Sequence, residues 1–148
     1  MIMKKECDLC HQPLTDYQVL FDRRIERMEY LPMGDDFQAV AMVLSCDGIA
    51  CYCSTDCSAV GVQKGLQERG ISKTGGSIGP LTSCAKCGGL VDMTRPHAHY
   101  LEMEVIVHKT PTQTSLTVLY DEGLADVCIN CEPDGAFLAV TQQAAALA

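Results

Sequence analysis

Two stretches of the chain match each other without a gap, VLSCDGIACYC at residues 43–53 and VLYDEGLADVC at residues 118–128. The first two residues, the glycine, the alanine and the final cysteine are identical, and Ile49 stands opposite Leu124. Self-similarity at a fixed offset is the signature of a repeated structural unit. The match therefore predicts an internal duplication in which both halves of the chain share one design.

Closely spaced cysteine pairs stand near the beginning and the end of each half. A pair spaced as CxxC opens each half, and about forty residues later a second pair follows, spaced by three residues in the first half and by two in the second. These eight residues are Cys7, Cys10, Cys53 and Cys57 in the first half and Cys84, Cys87, Cys128 and Cys131 in the second. Each half therefore carries a complete set of four candidate metal ligands.

The redox compartment decides between disulfides and metal ligation for a chain with ten cysteines. Residues 1–6 run straight into Cys7 without an apolar signal segment, and no stretch approaches the length of a membrane span. We expect a cytoplasmic protein, in which clustered cysteines are typical of metal sites. Two structural Zn²⁺ ions in closed Cys₄ sites are the prediction. The ligand set suits iron as well, so the spacing leaves the metal open.

Two cysteines remain outside these sets. In the alignment Cys46 stands opposite Asp121 and Cys51 opposite Asp126, so neither position needs a thiol in the second half. We interpret both as free thiols. Two alternatives stay open, a redox pair formed by Cys46 and Cys51, or a register in which Cys51 replaces Cys53 as a ligand.

The segment between the cysteine pairs of each half reads as a β-hairpin. Alternating apolar residues from His97 to Val107, a turn at residues 109–113 and an apolar return from Ser115 to Tyr120 define the second hairpin. The first runs from Tyr17 to about Ser45, although residues 22–29 also fit a helical period. Helices are predicted after each last pair, from Ser54 or Thr55 to about Arg69 and from Asp134 onwards.

A cysteine knuckle, a hairpin and a second knuckle that opens a helix together resemble the treble-clef zinc fingers. The segment from Tyr52 to Cys57, YCSTDC, is similar to the YCSxxC element of LIM-, MYND- and TRASH-like members. The resemblance implies a small zinc-stabilised α+β fold with two tandem treble-clef-like repeats. The predicted organisation is repeat 1 at 1–70, a Gly/Ser-rich linker at 71–83 and repeat 2 at 84–148. Here the hairpins are about twice as long as in a minimal finger.

Residues suited to catalysis are few in this sequence. His11 has Gly88 as its counterpart, and we interpret it as a surface residue. His97 and His99 share one strand face and could bind a third metal, but an exposed hairpin edge explains them better. The His-x-Glu and Pro-Cys-x-x-Cys motifs of nucleobase deaminases are missing, and closed Cys₄ sites leave no open coordination position. We therefore predict no catalytic residues and no enzymatic activity.

The charge favours a protein partner over nucleic acid. The formal net charge is −8, and thiolates around zinc would make it more negative still. We expect a non-catalytic interaction module, an adaptor, inhibitor or accessory factor, that contacts another protein through the outer hairpin faces at 23–30 and 97–108. The alternative is a nucleic-acid-binding zinc-finger regulator, supported by Arg23, Arg24 and Arg27 on the first hairpin and by a few scattered lysines, Lys4, Lys5, Lys64 and Lys73.

Overall fold

The computed structural model of the chain describes residues 4–132 of its 148. It is a small α+β structure made mostly of strands, with one α-helix among the described residues. The elements are β1 (Tyr17–Met33), β2 (Asp36–Tyr52), α1 (Thr55–Glu68), β3 (Leu81–Ser83), β4 (Leu90–Asp92), β5 (His97–Lys109), β6 (Thr114–Val127) and a 3₁₀ helix (Ile129–Cys131). The helix predicted from Asp134 lies outside the described residues.

Both predicted hairpins are present and are longer than the sequence pattern indicated. Strands β1 and β2 pair from Val19↔Tyr52 to Met33↔Asp36 around a turn in which Gly34 adopts a φ of +64°. Residues 22–29, which also fitted a helix, belong to β1. That strand has a hydrogen-bonded neighbour on each side, β2 and β5. This pairing outweighs the weak local preference of residues 22–29 for a helix.

One four-stranded sheet joins the two halves of the chain, in the order β2-β1-β5-β6. The contact between the halves is the antiparallel pairing of β1 with β5, from Tyr17↔Ile106 to Glu26↔His97. Residues 23–30 and 97–108, which we expected to form outer faces, therefore lie largely on the two central strands. The edges of the sheet are β2 and β6, and whether residues 23–30 and 97–108 contact a partner stays a prediction.

Helix α1 packs against the first hairpin. Ser54 caps its N-terminus by accepting a hydrogen bond from the Cys57 N–H, and Gly70 follows its end with a φ of +68°. Leu66 is buried against the sheet, and Gly61 lies where any Cβ would come within 2.5 Å of the Tyr52 ring. Glycine has a low helix propensity, but at position 61 its missing side chain permits the close approach of α1 to the strands.

The segment after α1, predicted as a linker, makes ordered contacts with the second half. Ile71 is buried, and the N–H groups of Thr74 and Gly75 both donate to the Leu124 carbonyl, at 3.0 and 2.9 Å. Its end forms β3, which pairs with β4 around the third cysteine knuckle. The segment at 71–83 therefore carries one strand and packs on β6. Whether residues 1–70 and 84–148 act as separate units stays a prediction.

Candidate metal centres

The first cluster joins the two ends of the first hairpin. Cys7 and Cys10 lie on a turn closed by a bridge between Glu6 and Pro13, Cys53 directly follows β2, and Cys57 is in the first turn of α1. The Cys53 Sγ atom is 3.5 Å from that of Cys10 and 3.8 Å from that of Cys57. One sulfur from each of the four cysteines lies within 4.8 Å of the other three.

The second cluster has the same composition and lies between the small β3–β4 sheet and the end of β6. Cys84 and Cys87 occupy the β3–β4 turn, Cys128 follows β6, and Cys131 ends the 3₁₀ helix. The Sγ atoms of Cys84 and Cys131 are 3.9 Å apart, and those of Cys87 and Cys128 are 3.7 Å apart. All eight cysteines singled out by their spacing therefore fall into two groups of four, one group in each half.

The sulfur separations fit metal coordination and do not fit disulfides. A disulfide holds its sulfurs at about 2.05 Å. Four sulfurs at the usual Zn–S distance of about 2.3 Å from one tetrahedral ion are separated by about 3.8 Å. The distances of 3.5–3.9 Å in the two clusters match the second arrangement. Both clusters are thus geometrically able to bind a metal ion.

The two opening knuckles share an unusual backbone conformation. His11 has a φ of 62° and Gly88 a φ of 76°, both in the left-handed region, directly after the second cysteine of each pair. Their N–H groups donate to the carbonyls of Cys7 and Cys84, at 3.0 and 2.9 Å. His11 is exposed and is not part of the cluster, in line with its interpretation as a surface residue. Its backbone role was missed, although glycine at the matching position pointed to it.

Backbone N–H groups stabilise a thiolate at the first cysteine of each knuckle. The Cys84 Sγ accepts from the N–H groups of Lys86, Cys87 and Cys128 at 3.4–3.5 Å. Burial raises the pKa of Cys84, but these N–H groups outweigh it and lower the pKa to about 6. Similar backbone donors offset burial at Cys7 and give a pKa of about 6.

In each cluster one later cysteine has a strongly raised pKa, Cys53 in the first and Cys131 in the second. A hydrogen bond with Cys10, followed by burial, raises the pKa of Cys53 to about 12. Burial, followed by hydrogen bonds within the cluster, raises the pKa of Cys131 to about 12. A cation among the sulfurs would lower these raised pKa values, because a bound metal deprotonates its thiol ligands.

Cys46 and Cys51 lie outside both clusters, as the alignment predicted. The Cys46 thiol points to Asp22 Oδ2 at 3.7 Å. Burial, the largest contribution in each case, raises the pKa of both thiols. A redox-sensing cysteine needs a lowered pKa, so the environment of these thiols argues against a redox pair.

A third group of possible ligands lies where β1, β5 and β6 meet. Side-chain donor atoms of Glu26, His99 and Asp126 lie within 4.8 Å of one another, and His97 adjoins them. His97 is 1% exposed, so the interpretation of the histidine pair as an exposed hairpin edge is wrong. Burial lowers the pKa of His99, but the hydrogen bond with Asp126 and the charge of Glu26 raise it overall. Neither carboxylate was identified from the sequence.

Comparison of the chain with protein-family models, with curated proteins and with solved structures finds no match. Within the described residues, no helix combines the length and the apolar character that crossing a bilayer requires. The two four-cysteine clusters and the surface of the sheet are therefore the features of the chain that bear on its function.

Proposed function

We propose that the chain is a non-catalytic protein-binding module whose fold depends on two structural zinc ions, one in each four-cysteine cluster. The sulfur spacing supports tetrahedral coordination, and ligands that are all cysteine are typical of closed structural zinc sites. A chain half of about seventy residues buries little apolar surface, which is a common reason for a small unit to use a metal.

The two sites are proposed to belong to duplicated treble-clef-like units. Cys53 before α1 and Cys57 in its first turn match the ligand placement in that class, and the left-handed residues His11 and Gly88 occupy matching positions. Each hairpin also carries two register shifts, at matching positions of the aligned stretches. The second unit is traced only to Glu132, so its helix is an expectation.

Protein binding is proposed from one observation, the exposed apolar side chains on both edges of the sheet. We call these side chains the apolar edges: Phe37, Met42, Val43 and Leu44 on β2, and Leu116, Val118, Leu119 and Tyr120 on β6. Phe37 is 69% exposed and Leu119 57% exposed. An exposed edge strand offers unpaired backbone groups to another chain, and a rim of apolar side chains adds area that such a partner can bury.

Two of the three arginines that would contact phosphates are engaged with carboxylates. Arg23 donates to Asp47 and Glu132 at 2.8 and 2.9 Å, and Arg27 lies 2.9 Å from Glu29. With a net charge of −8, this pairing favours a protein partner over a nucleic-acid backbone.

Edge variants test the partner proposal. The zinc-loaded chain, immobilised, should capture a specific protein from extracts of its host, and Val43→Lys or Val118→Lys should reduce that capture at least tenfold. Val60→Lys is the matched control, because Val60 is 56% exposed on α1 and lies away from the apolar edges. Zinc content and melting temperature should be the same for all three variants.

Two results would contradict the proposal. If Val43→Lys and Val118→Lys both capture the partner as well as the unchanged chain does, the apolar edges do not bind it. Nanomolar binding to DNA or RNA at moderate salt, with no protein captured, would instead establish the nucleic-acid alternative.

A further inference from the structure

Three buried side chains and the partly buried His99 converge at the junction of the two halves, and we call them the histidine–carboxylate cluster: Glu26 of β1, His97 and His99 of β5, and Asp126 of β6. His99 Nδ1 lies 2.8 Å from Asp126 Oδ1 and 3.8 Å from Glu26 Oε1. His97 Nε2 lies 3.7 Å from Asp126 Oδ1 and 3.9 Å from Glu26 Oε1. Two imidazole nitrogens therefore face the same two carboxylate oxygens.

The tautomer of His97 is set by its backbone neighbour. Its Nδ1 lies 2.9 Å from the Arg95 carbonyl, an acceptor, so Nδ1 carries the proton and donates it. In the neutral ring the Nε2 atom then presents a lone pair to the carboxylates of Glu26 and Asp126. It is fully buried and has no hydrogen-bond partner within residues 4–132, and the same holds for Glu26 Oε2.

This arrangement is unfavourable without a positive charge at its centre. Glu26 and Asp126 are 4% and 2% exposed, and burying unpaired charge is costly. Arg24 lies opposite His99 in the register, but its guanidinium is directed at Met103 Sδ, at 3.5 Å. A divalent cation would balance both carboxylates and accept the lone pair of His97 Nε2.

We propose that the histidine–carboxylate cluster is a third metal site, which binds a divalent first-row transition ion through His97 Nε2, His99 Nδ1 and the carboxylates of Glu26 and Asp126. The hydrogen bond from His97 Nδ1 to a backbone carbonyl is the support that metal-binding histidines commonly have. Imidazole with carboxylate suits zinc, iron and manganese, and disfavours the softer ions that thiolates select.

The donors of Glu26, His99 and Asp126 lie within 4.8 Å of one another and need only small movements to bind one ion, whereas His97, which is outside that group of three, must also approach His99. Ligands about 2.05 Å from a tetrahedral zinc are separated by about 3.3 Å. The distances of 3.7–3.9 Å would therefore shorten by about half an ångström, and the His99–Asp126 distance of 2.8 Å would lengthen as the ion replaces the shared proton.

Such an ion would tie the two halves of the chain together. Glu26 belongs to the first hairpin, whereas the other three ligands belong to the second. Residues 76–79 border the same region, since Gly76 Cα lies 3.1 Å from where a Cβ on Gly123 would stand, and Tyr30 donates to the Gly79 carbonyl at 2.7 Å. The proposed ion thus lies between both hairpins and the segment that connects them.

Metal counting on the whole chain tests the proposal. The protein is first loaded with zinc until both four-cysteine clusters are filled, then titrated with Co²⁺ and weighed by native mass spectrometry. We expect one further metal ion per chain, with the visible d–d bands of cobalt bound by nitrogen and oxygen ligands and no sulfur-to-cobalt charge-transfer band. His97→Asn, which can keep the bond to Arg95 but lacks Nε2, and Glu26→Gln should each lose that ion.

His108→Gln is the matched control, because His108 is an exposed histidine at the far end of β5 and should leave the third ion in place. The two thiolate-bound zinc ions report whether each variant is folded, independently of the third site. A wild-type chain that takes up no third ion, with cobalt, iron(II) or manganese as the probe, would overturn the proposal. So would a third ion that survives both His97→Asn and Glu26→Gln.

Discussion

Ile49 and Leu124 are each the unpaired residue of a β-bulge. Phe21 pairs with Ala50 and Asp22 with Gly48, so Ile49 is passed over. Tyr100 pairs with Ala125 and Leu101 with Gly123, so Leu124 is passed over in the same way. A bulge bends its strand and increases the local twist, so both hairpins bend four residues before the cysteines that follow their last strands, Cys53 and Cys128.

The two bulge residues differ in burial, and this predicts different effects of truncation. Leu124 is fully buried and its carbonyl receives two N–H groups from residues 74 and 75, whereas Ile49 is only partly buried. Leu124→Ala should lower the free energy of unfolding by about 2–5 kcal/mol, the range for fully buried leucines. Ile49→Ala should cost less than half as much in the same urea titration. Equal losses would show that the bulges are buried alike in solution.

Arg23 should contribute to stability through its contact with Glu132, next to the second four-cysteine cluster. Its guanidinium contacts Glu132, which directly follows the metal-cluster residue Cys131 and also accepts from the Tyr100 hydroxyl. Arg23→Gln should cost about 2 kcal/mol, since hydrogen bonds to charged groups contribute about 1.5–3 kcal/mol. Arg27→Gln, which breaks a surface pair, should cost less than about 1 kcal/mol. Thermal melting of both zinc-loaded variants checks this, and equal melting temperatures would contradict it.

Replacing Gly61 by alanine, the residue with the highest helix propensity, should lower the stability of the protein. In an exposed helix, alanine in place of glycine stabilises by about 1 kcal/mol. Here the added Cβ would lie 2.3 Å from Tyr52 Cε1, so Gly61→Ala should destabilise the protein despite its propensity. Gln63→Ala, on the exposed face of α1, should change stability by about 0.5 kcal/mol or less. A stabilised Gly61→Ala in chemical denaturation would mean that α1 does not pack this closely on Tyr52.

Exchanging the residues at the matching positions 11 and 88 should have opposite effects on stability. His11 holds a left-handed conformation that costs a non-glycine residue about 1–2 kcal/mol, whereas Gly88 holds it without that cost. His11→Gly should therefore keep or raise the melting temperature of the zinc-loaded chain, and Gly88→His should lower it. The opposite order would show that the His11 side chain has a stabilising role that its exposure does not suggest.

The sequence was sufficient for features set by local spacing. Four ligands per half followed from short cysteine pairs, and the hairpins followed from alternation around turn residues. The helix start followed from Ser54, which can cap the segment that carries Cys57.

Long-range features had no such local signal. Nothing in the pattern of β1 or β5 indicated that these strands pair with each other, because a central strand and an edge strand can have the same alternation. No motif in the sequence marked Glu26 as a ligand, and Asp126 stood out only as the counterpart of Cys51. Only the register of β1, β5 and β6 brings both carboxylates to His97 and His99.

The most direct test of the account is the number of thiols that each released zinc exposes. The zinc-loaded chain is treated with increasing chelator under native conditions, while a thiol reagent and a zinc indicator are followed together. Cys46 and Cys51 should react without any zinc release, because neither belongs to a cluster. Each of the two thiolate-bound zinc ions should then expose four further thiols as it leaves, and the fold should be lost with them. Two or fewer thiols per zinc, or full reactivity of all ten cysteines before zinc is released, would contradict the two four-cysteine sites.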